Sequence, residues 1–151
     1  MLKGIDPALS PALLQLMAEM GHDDALLLAD ANFTAVRYAQ GRIPIVRLPG
    51  LSLPRVAKAV ASVFPLANDV PHPLAFMQVG ETHAPYQSAV QREAIAAFAA
   101  DMLPTQSAEG IERFAFYERA KLAFAFVVTG ELQPYANLLV RKGVICEVIR
   151  K

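Results

Sequence analysis

The 151 residues carry 14 Lys+Arg against 14 Asp+Glu, so no net charge draws the chain toward nucleic acid or an acidic membrane surface. A single cysteine, Cys146, excludes an internal disulfide framework and suits a reducing cytoplasm. No apolar run approaches the roughly 18 residues of a membrane span, and the N-terminus lacks the apolar core of a signal peptide, so one soluble cytoplasmic domain over residues 1–151 is the expectation. The hydrophobic content of 54% is above the usual ~45–50%, which in a chain of this size points to surface buried between subunits.

In chain order, Ser10-Pro11 reads as an N-cap followed by proline at the first helical position. Leu13, Leu14, Met17 and Met20 make the apolar face of that helix, and Gly21 suits a left-handed position after its end. Ala25 to Ala29 has no polar member and predicts a strand covered on both faces. Ile43 to Leu48 is a short strand whose Pro44 argues for an edge or a strand start. Leu51 to Phe64 has helical spacing, with Pro54 tolerated in its first turn. Ala67 to Pro73 reads as a loop, Leu74 to Val79 as a buried strand and Gly80 to Pro85 as a loop. An alanine-rich helix from about Tyr86 to Met102 follows, with Val90, Ala94, Ala97 and Phe98 on its apolar side and Gln91, Arg92 and Glu93 off it. Pro104 to Gly110 reads as a polar connection and Arg113 to Phe124 as a short helix. Phe126 to Thr129 and Leu138 to Val140 are further strands, separated by a turn over Gly130 to Ala136. The alternation predicts an α/β fold, a three-layer domain with a mixed central β-sheet flanked by helices.

Chemistry-bearing motifs are few. There is no glycine-rich phosphate loop, no G-x-S-x-G elbow and no C-x-x-C pair, and His22, His72 and His83 are not spaced as a helix-borne metal pair. What remains is a set of acid-base and hydrogen-bonding residues near strand ends: His22, Asp30, Arg113, Tyr117, Tyr135 and Asn137. Each has a plain structural reading beside a functional one. His22 directly follows a helix terminus and reads as a C-cap or as a titratable donor. Asp30 and Asn32 read as turn formers, Arg113 and Glu118 as a salt-bridged surface, and Tyr117 and Tyr135 as half-buried packing. Asp30 alone has a positional argument, since ligands of open α/β sheets collect beyond the carboxyl ends of the strands.

Two segments carry a resemblance. Ser10 to Phe33, with its S-P-x-L-L-x-x-M-A-E-M-G-H-x-D…x-D-A-x-F pattern, resembles the L-fucose mutarotase and D-ribose pyranase family. So does R-F-A-F-Y-E-R-A at Arg113 to Ala120, followed by Thr129-Gly130-Glu131 and Tyr135-Ala136-Asn137-Leu138-Leu139. The likeness runs from Leu2 to about Gly143, and the R-F-A-F-Y-E-R-A run is that of the fucose branch. It implies His22 as proton donor and Asp30, Arg113, Tyr135, Ala136 and Asn137 as substrate-binding positions, with no metal and no cofactor. It further implies a cytoplasmic homo-oligomer, since family members form rings that stack into decamers. Arg113 stands where the ribose branch tends to carry histidine. Asn32 and Ala136 depart from the histidine and glycine frequent there, and Ala136 places a methyl next to the expected sugar.

The implied reaction opens a cyclic hemiacetal and recloses it on the other face, which takes a proton delivered to the ring oxygen and one removed from the anomeric hydroxyl. Asp30 then accepts a sugar hydroxyl or orients an imidazole, Arg113 and Asn137 fork onto vicinal hydroxyls, and Tyr135 stacks on the sugar or relays a proton. The competing readings are a D-ribose pyranase, a non-catalytic monosaccharide-binding protein and a nucleotide-binding α/β domain, the last weakened by the missing glycine-rich turn. A straight strand from Asp24 to Asp30 would separate its ends by roughly 20 Å at ~3.3 Å per residue. His22 and Asp30 of one chain then reach one sugar only if the loop at Gly21 to Asp24 folds back along the strand, and the expectation is instead that a neighbouring subunit completes each site.

Overall fold

The computed structural model describes residues 1–80 and 86–146, so the expected loop over Gly80 to Pro85, and His83 within it, lies almost wholly outside the described residues. Eleven elements follow in the order α1 (Pro11–Glu19), β1 (Ala25–Ala29), α2 (Ala35–Ala39), β2 (Ile45–Leu48), α3 (Leu53–Ala61), β3 (Leu74–Met77), α4 (Ala89–Ala96), β4 (Ala108–Ile111), α5 (Arg113–Ala120), β5 (Ala125–Thr129) and β6 (Leu138–Arg141). The strands form one sheet in the order β2-β5-β1-β6-β3-β4. β1, β2 and β5 pair in parallel, as do β3 and β4, while β6 runs antiparallel between β1 and β3. The α/β fold with a mixed sheet is thus as the alternation predicted.

The sheet's two faces follow from the pleat, because successive side chains point to opposite sides. Leu26 and Leu28 of β1, with Val127 and Leu138, pack beneath α1, α3 and α4 through Leu13, Met17, Val56, Val60 and Ala94. Leu27 and Ala29, with Phe126 and Val128, pack beneath α2 and α5 through Ala35, Ala39, Phe116 and Ala120. β1 therefore needs apolar residues at every position, and each leucine buried there contributes ~1.5–3 kcal/mol. Pro44 immediately precedes edge strand β2, where a missing N–H costs no ladder bond.

The helix starts obey their local sequence. Ser10 Oγ accepts the Leu13 N–H at 3.2 Å and Ser52 Oγ the Arg55 N–H at 3.4 Å, with Pro11 and Pro54 in the first turns. Glu112 caps α5, its Oε2 accepting the N–H groups of Phe114 at 2.9 Å and Ala115 at 3.1 Å. Those bonds hold its carboxyl below the ordinary glutamate range.

Several expectations need correction. Gly21 is not left-handed, and Asp23 takes the positive φ of 69° instead. The physical reason is a foreign cap: Lys142 Nζ donates to the carbonyls of Met17 and Met20 at 2.6 Å each, satisfying acceptors that a glycine turn would otherwise serve. Part of the expected connection from Pro104 to Gly110 belongs to β4, whose Ala-Glu-Gly-Ile sequence has little intrinsic strand preference. Gly110 is there for packing, because a Cβ at that position would lie 2.9 Å from Phe76 Cζ. Helix α2 went unanticipated; it has five residues and no side-chain cap. Helix α4 is shorter than Tyr86 to Met102, since beyond Ala96 the chain tightens into turns with Phe98 N–H on Ile95 O and Ala99 N–H on Ala96 O. Gln91, expected off its apolar side, is buried.

Candidate functional site

Asp30 follows the last residue of β1, and Arg113 follows β4 after one intervening residue. Tyr135-Ala136-Asn137 leads into β6, which runs the other way and so begins where its neighbours end. The topology thus gathers residues from three distant parts of the sequence beyond the carboxyl ends of the parallel strands. Leu28 opposite Leu138 in the β1–β6 register brings Asp30 beside Asn137.

Those two residues interlock. The Asp30 N–H donates to Asn137 Oδ1 at 3.0 Å, and Asn137 Nδ2 donates to Asp30 Oδ2 at 3.0 Å. Asp30 Oδ1 accepts the Asn32 N–H at 2.9 Å, so the carboxylate is also the turn former that its residue type suggests. Asp30 is 5% exposed, and burial raises its pKa above the ordinary aspartate value against the lowering effect of the bonds from Asn32 and Asn137. Asn137 spends its amide on Asp30 and on Met77 Sδ at 3.7 Å, and is buried, so it orients the carboxylate instead of forking outward with Arg113.

A cavity of about 220 Å³ opens over this pair, walled by Asp30, Asn32, Phe33, Met77, Arg113, Tyr117, Pro134, Tyr135 and Asn137. Arg113 and Tyr135 also line an adjoining cavity of about 420 Å³ with Gln78, Val79, Gly80, Glu112 and Phe114. The Arg113 guanidinium lies 4.6 Å from the centroid of the Phe114 ring. Tyr117 rests in an aromatic group with Tyr38, stacked at 4.9 Å, and with Phe33 at 5.8 Å. Burial raises the Tyr117 pKa, with the Arg113 charge opposing. The combination presents a carboxylate, a fixed cation, two phenols and apolar ring faces to one small molecule.

Tyr135 is held at φ 63°, a conformation rare for a bulky residue, which costs on the order of 1–3 kcal/mol. Its hydroxyl sits against Gly80, where a Cβ would lie 2.8 Å from Tyr135 Oη. Ala136 faces away: it is fully buried in the core under α1, α3 and α4 and lines neither cavity. The Ala136 methyl, expected beside the sugar, does not line the cavity.

His22 is not with the others. It precedes β1, at the opposite end of the strand from Asp30, and its Nε2 lies 2.8 Å from Asp69 Oδ2. It lines a separate cavity of about 500 Å³ with Met17, Met20, Phe64, Val144 and others. The bond from His22 holds the Asp69 carboxyl below its ordinary value. His72 lines neither cavity, with Nδ1 at 3.2 Å from Ser107 O. Met77 and Pro134 were not singled out from sequence, and Phe33 entered only as the last residue of the Ser10 to Phe33 pattern. Tyr117 was visible four residues after Arg113 on one helix face, and Ser88-Ala89-Val90-Gln91 is a legible capping box that marks where α4 begins.

Comparison with known proteins bears on the family and the fold. Residues 3–145 match the family described as the RbsD / FucU transport protein family. The L-fucose mutarotase of Glaesserella parasuis is 42% identical over 144 residues, covering 95% of this chain and 96% of that protein. The crystal structure of FucU from Bifidobacterium longum superposes with a TM-score of 0.84 at 33% identity, over 95% of this chain and all of the other. The fucose mutarotase of Streptococcus pneumoniae in complex with L-fucose does so with a TM-score of 0.84 at 31% identity, over 96% of this chain and all of the other. With a family match across almost its whole length, and relatives of that identity and coverage, this chain belongs to the RbsD / FucU family.

Proposed function

We propose that the chain is a sugar mutarotase interconverting the α and β anomers of L-fucose or a closely related monosaccharide, working as one domain over residues 1–151. The observation that carries this is the cavity over the Asp30–Asn137 pair: small, polar on one side and aromatic on the other, in a chain 42% identical to an L-fucose mutarotase. At about 220 Å³ it is below the ~300–1,000 Å³ of drug-sized ligand sites and suits one small polar molecule.

The chemistry asks only for protons. One is delivered to the ring oxygen as the bond to the anomeric carbon breaks, and one leaves the anomeric hydroxyl as the carbonyl forms. Rotation about the adjacent C–C bond and reclosure reverse both transfers on the other face. No electrons change hands between molecules and nothing is left on the protein. A side chain able to donate and recover a proton near working pH supplies ~10²–10⁴-fold. His22 is our choice of donor because an imidazole, with one nitrogen able to donate and the other to accept, is the side-chain type best suited to passing a proton both ways. The raised pKa of Asp30 favours it as a partner that accepts a sugar hydroxyl and tolerates a proton. Arg113 binds hydroxyls through its fork, Tyr135 contributes its ring or hydroxyl, Asn137 keeps Asp30 aimed, and Ala136 joins Tyr135 to Asn137 from within the core.

The reading that a neighbouring subunit brings His22 to each site is supported by the separate cavities at the two ends of β1. It entails a homo-oligomer, up to the decamer expected of the family, in the cytoplasm. Saturation transfer between anomeric protons, measured by NMR across a panel of sugars, tests the function. Transfer should rise with protein strongly for L-fucose and less for galactose or ribose; no enhancement for any sugar would end the mutarotase reading.

A further inference from the structure

Gln91 lines neither cavity at the candidate site, yet it is 2% exposed and has every amide atom engaged. Its Nε2 donates to Met77 O at 2.7 Å and to Tyr135 O at 2.8 Å, while its Oε1 accepts the Ser88 N–H at 2.9 Å. One side chain therefore joins the start of α4, the end of β3 and the turn that carries Tyr135. We infer that Gln91 is a positioning residue, whose amide clamps the main chain at Tyr135 and Met77 and so fixes where Tyr135 and Asn137 stand in the site. The inference rests on the reading of that cavity as the sugar site.

Three observations converge on the clamp. Tyr135 has a left-handed backbone without the glycine that would adopt it freely, so something else must hold it. Its carbonyl accepts two donors, the Asn137 N–H at 2.8 Å and Gln91 Nε2, which together fix the peptide plane. Met77, the other carbonyl on Gln91, is bound to Asn137 twice, through Met77 N–H to Asn137 O at 3.2 Å and Asn137 Nδ2 to Met77 Sδ at 3.7 Å. Both acceptors of the amide thus lead directly to residues lining the cavity. Only a glutamine meets the geometry and the polarity: asparagine is one methylene shorter, and glutamate offers the same shape with no N–H.

Gln91→Glu is the sharpest probe. It preserves volume and the acceptor for Ser88, but sets a carboxylate against two carbonyl oxygens. Gln91→Met, which removes donors without adding charge, serves if the glutamate variant fails to fold. Two readouts are taken in the full-length protein: anomer exchange of L-fucose, and the ¹³Cα and ¹³Cβ chemical shifts of Tyr135, which report its backbone angle without any sugar. The expected result is about a tenfold loss in kcat/KM, from two lost bonds, with a cooperative melt retained and Tyr135 shifts that leave the left-handed pattern. In a Tyr135→Ala background the same substitution should cost clearly less, because only the share that acts through Met77 and Asn137 remains. Unchanged Tyr135 shifts, or equal losses in both backgrounds, would overturn the positioning role. Absence of exchange in the wild type would instead refute the mutarotase reading, and the shifts would still decide the role of Gln91.

Discussion

Asn137→Asp replaces a buried amide that donates to Asp30 Oδ2 at 3.0 Å with a second carboxyl at the same place. Two charges at that separation repel by about 5.5 kcal/mol at an effective dielectric of about 20, comparable to the whole ~5–15 kcal/mol stability of a typical domain. The folded protein will avoid this by keeping one proton on the pair, while the unfolded chain releases it at ordinary carboxylate pH. An acid whose folded pKa is raised gives stability that is intact below its unfolded value and lost as pH climbs toward the folded value. Burial already gives wild-type Asp30 that sign, so the variant's extra dependence begins above the pH where wild-type Asp30 ionises. From there its stability should fall relative to wild type by about 1.4 kcal/mol per pH unit, or about 2.8 kcal/mol over two units. Urea unfolding of both proteins from pH 4.5 to 8.5 measures this. Parallel stability curves, separated by a constant offset, would show that the carboxyls do not share one desolvated position and would refute the account of Asp30.

His22→Ala should abolish sugar exchange while leaving the thermal melt nearly unchanged, because the ring is half exposed and its Asp69 partner is exposed too. Mixing the inactive His22→Ala and Asp30→Ala proteins after dissociation should restore part of the exchange by pairing an intact residue from each chain; a mixture that stays inactive would place both groups in one chain. Arg113→His should weaken L-fucose exchange more than ribose exchange, compared by the same saturation transfer, since it removes the guanidinium fork. Gly130→Ala should lower the melting temperature by about 6–12 °C, equivalent to about 3 kcal/mol, because its Cβ would meet Pro49 O at 2.1 Å, backbone against backbone. Gly50→Ala, which meets nothing within 4 Å, is the control, and equal melts would contradict the packing argument.

The strands that could be read from sequence were those whose burial is uniform. β1 and β3 are apolar throughout, and β5 up to its last residue Thr129, because both faces are covered, and Pro44 marked β2 as an edge or a strand start. β4 could not be read, since its glycine is chosen by the Phe76 ring across the sheet and not by its own backbone. The turn after α1 misled for a similar reason: its cap is Lys142, over a hundred residues away. At the candidate site, Asp30 followed from its place after a buried strand, and the remaining expectations came through the resemblance. That Ala136 faces the core, that Asn137 is spent on Asp30 and that Gln91 is buried all depend on tertiary partners with no local signature.

The placement of β6 has a consequence for biosynthesis. It is the last strand of the described residues, yet it lies in the middle of the sheet, hydrogen-bonded to β1 on one side and β3 on the other. A nascent chain that has emerged only through β5 holds β2-β5-β1 and β3-β4 as two ribbons, each with an open apolar edge facing the gap that β6 will fill. Such edges are sticky toward other chains, and the contacts that close them span most of the sequence, which slows their formation. The arrival of β6 zips the ribbons together and, in the same movement, carries Tyr135 and Asn137 to Asp30. Completion of the fold and creation of the cavity are therefore one event.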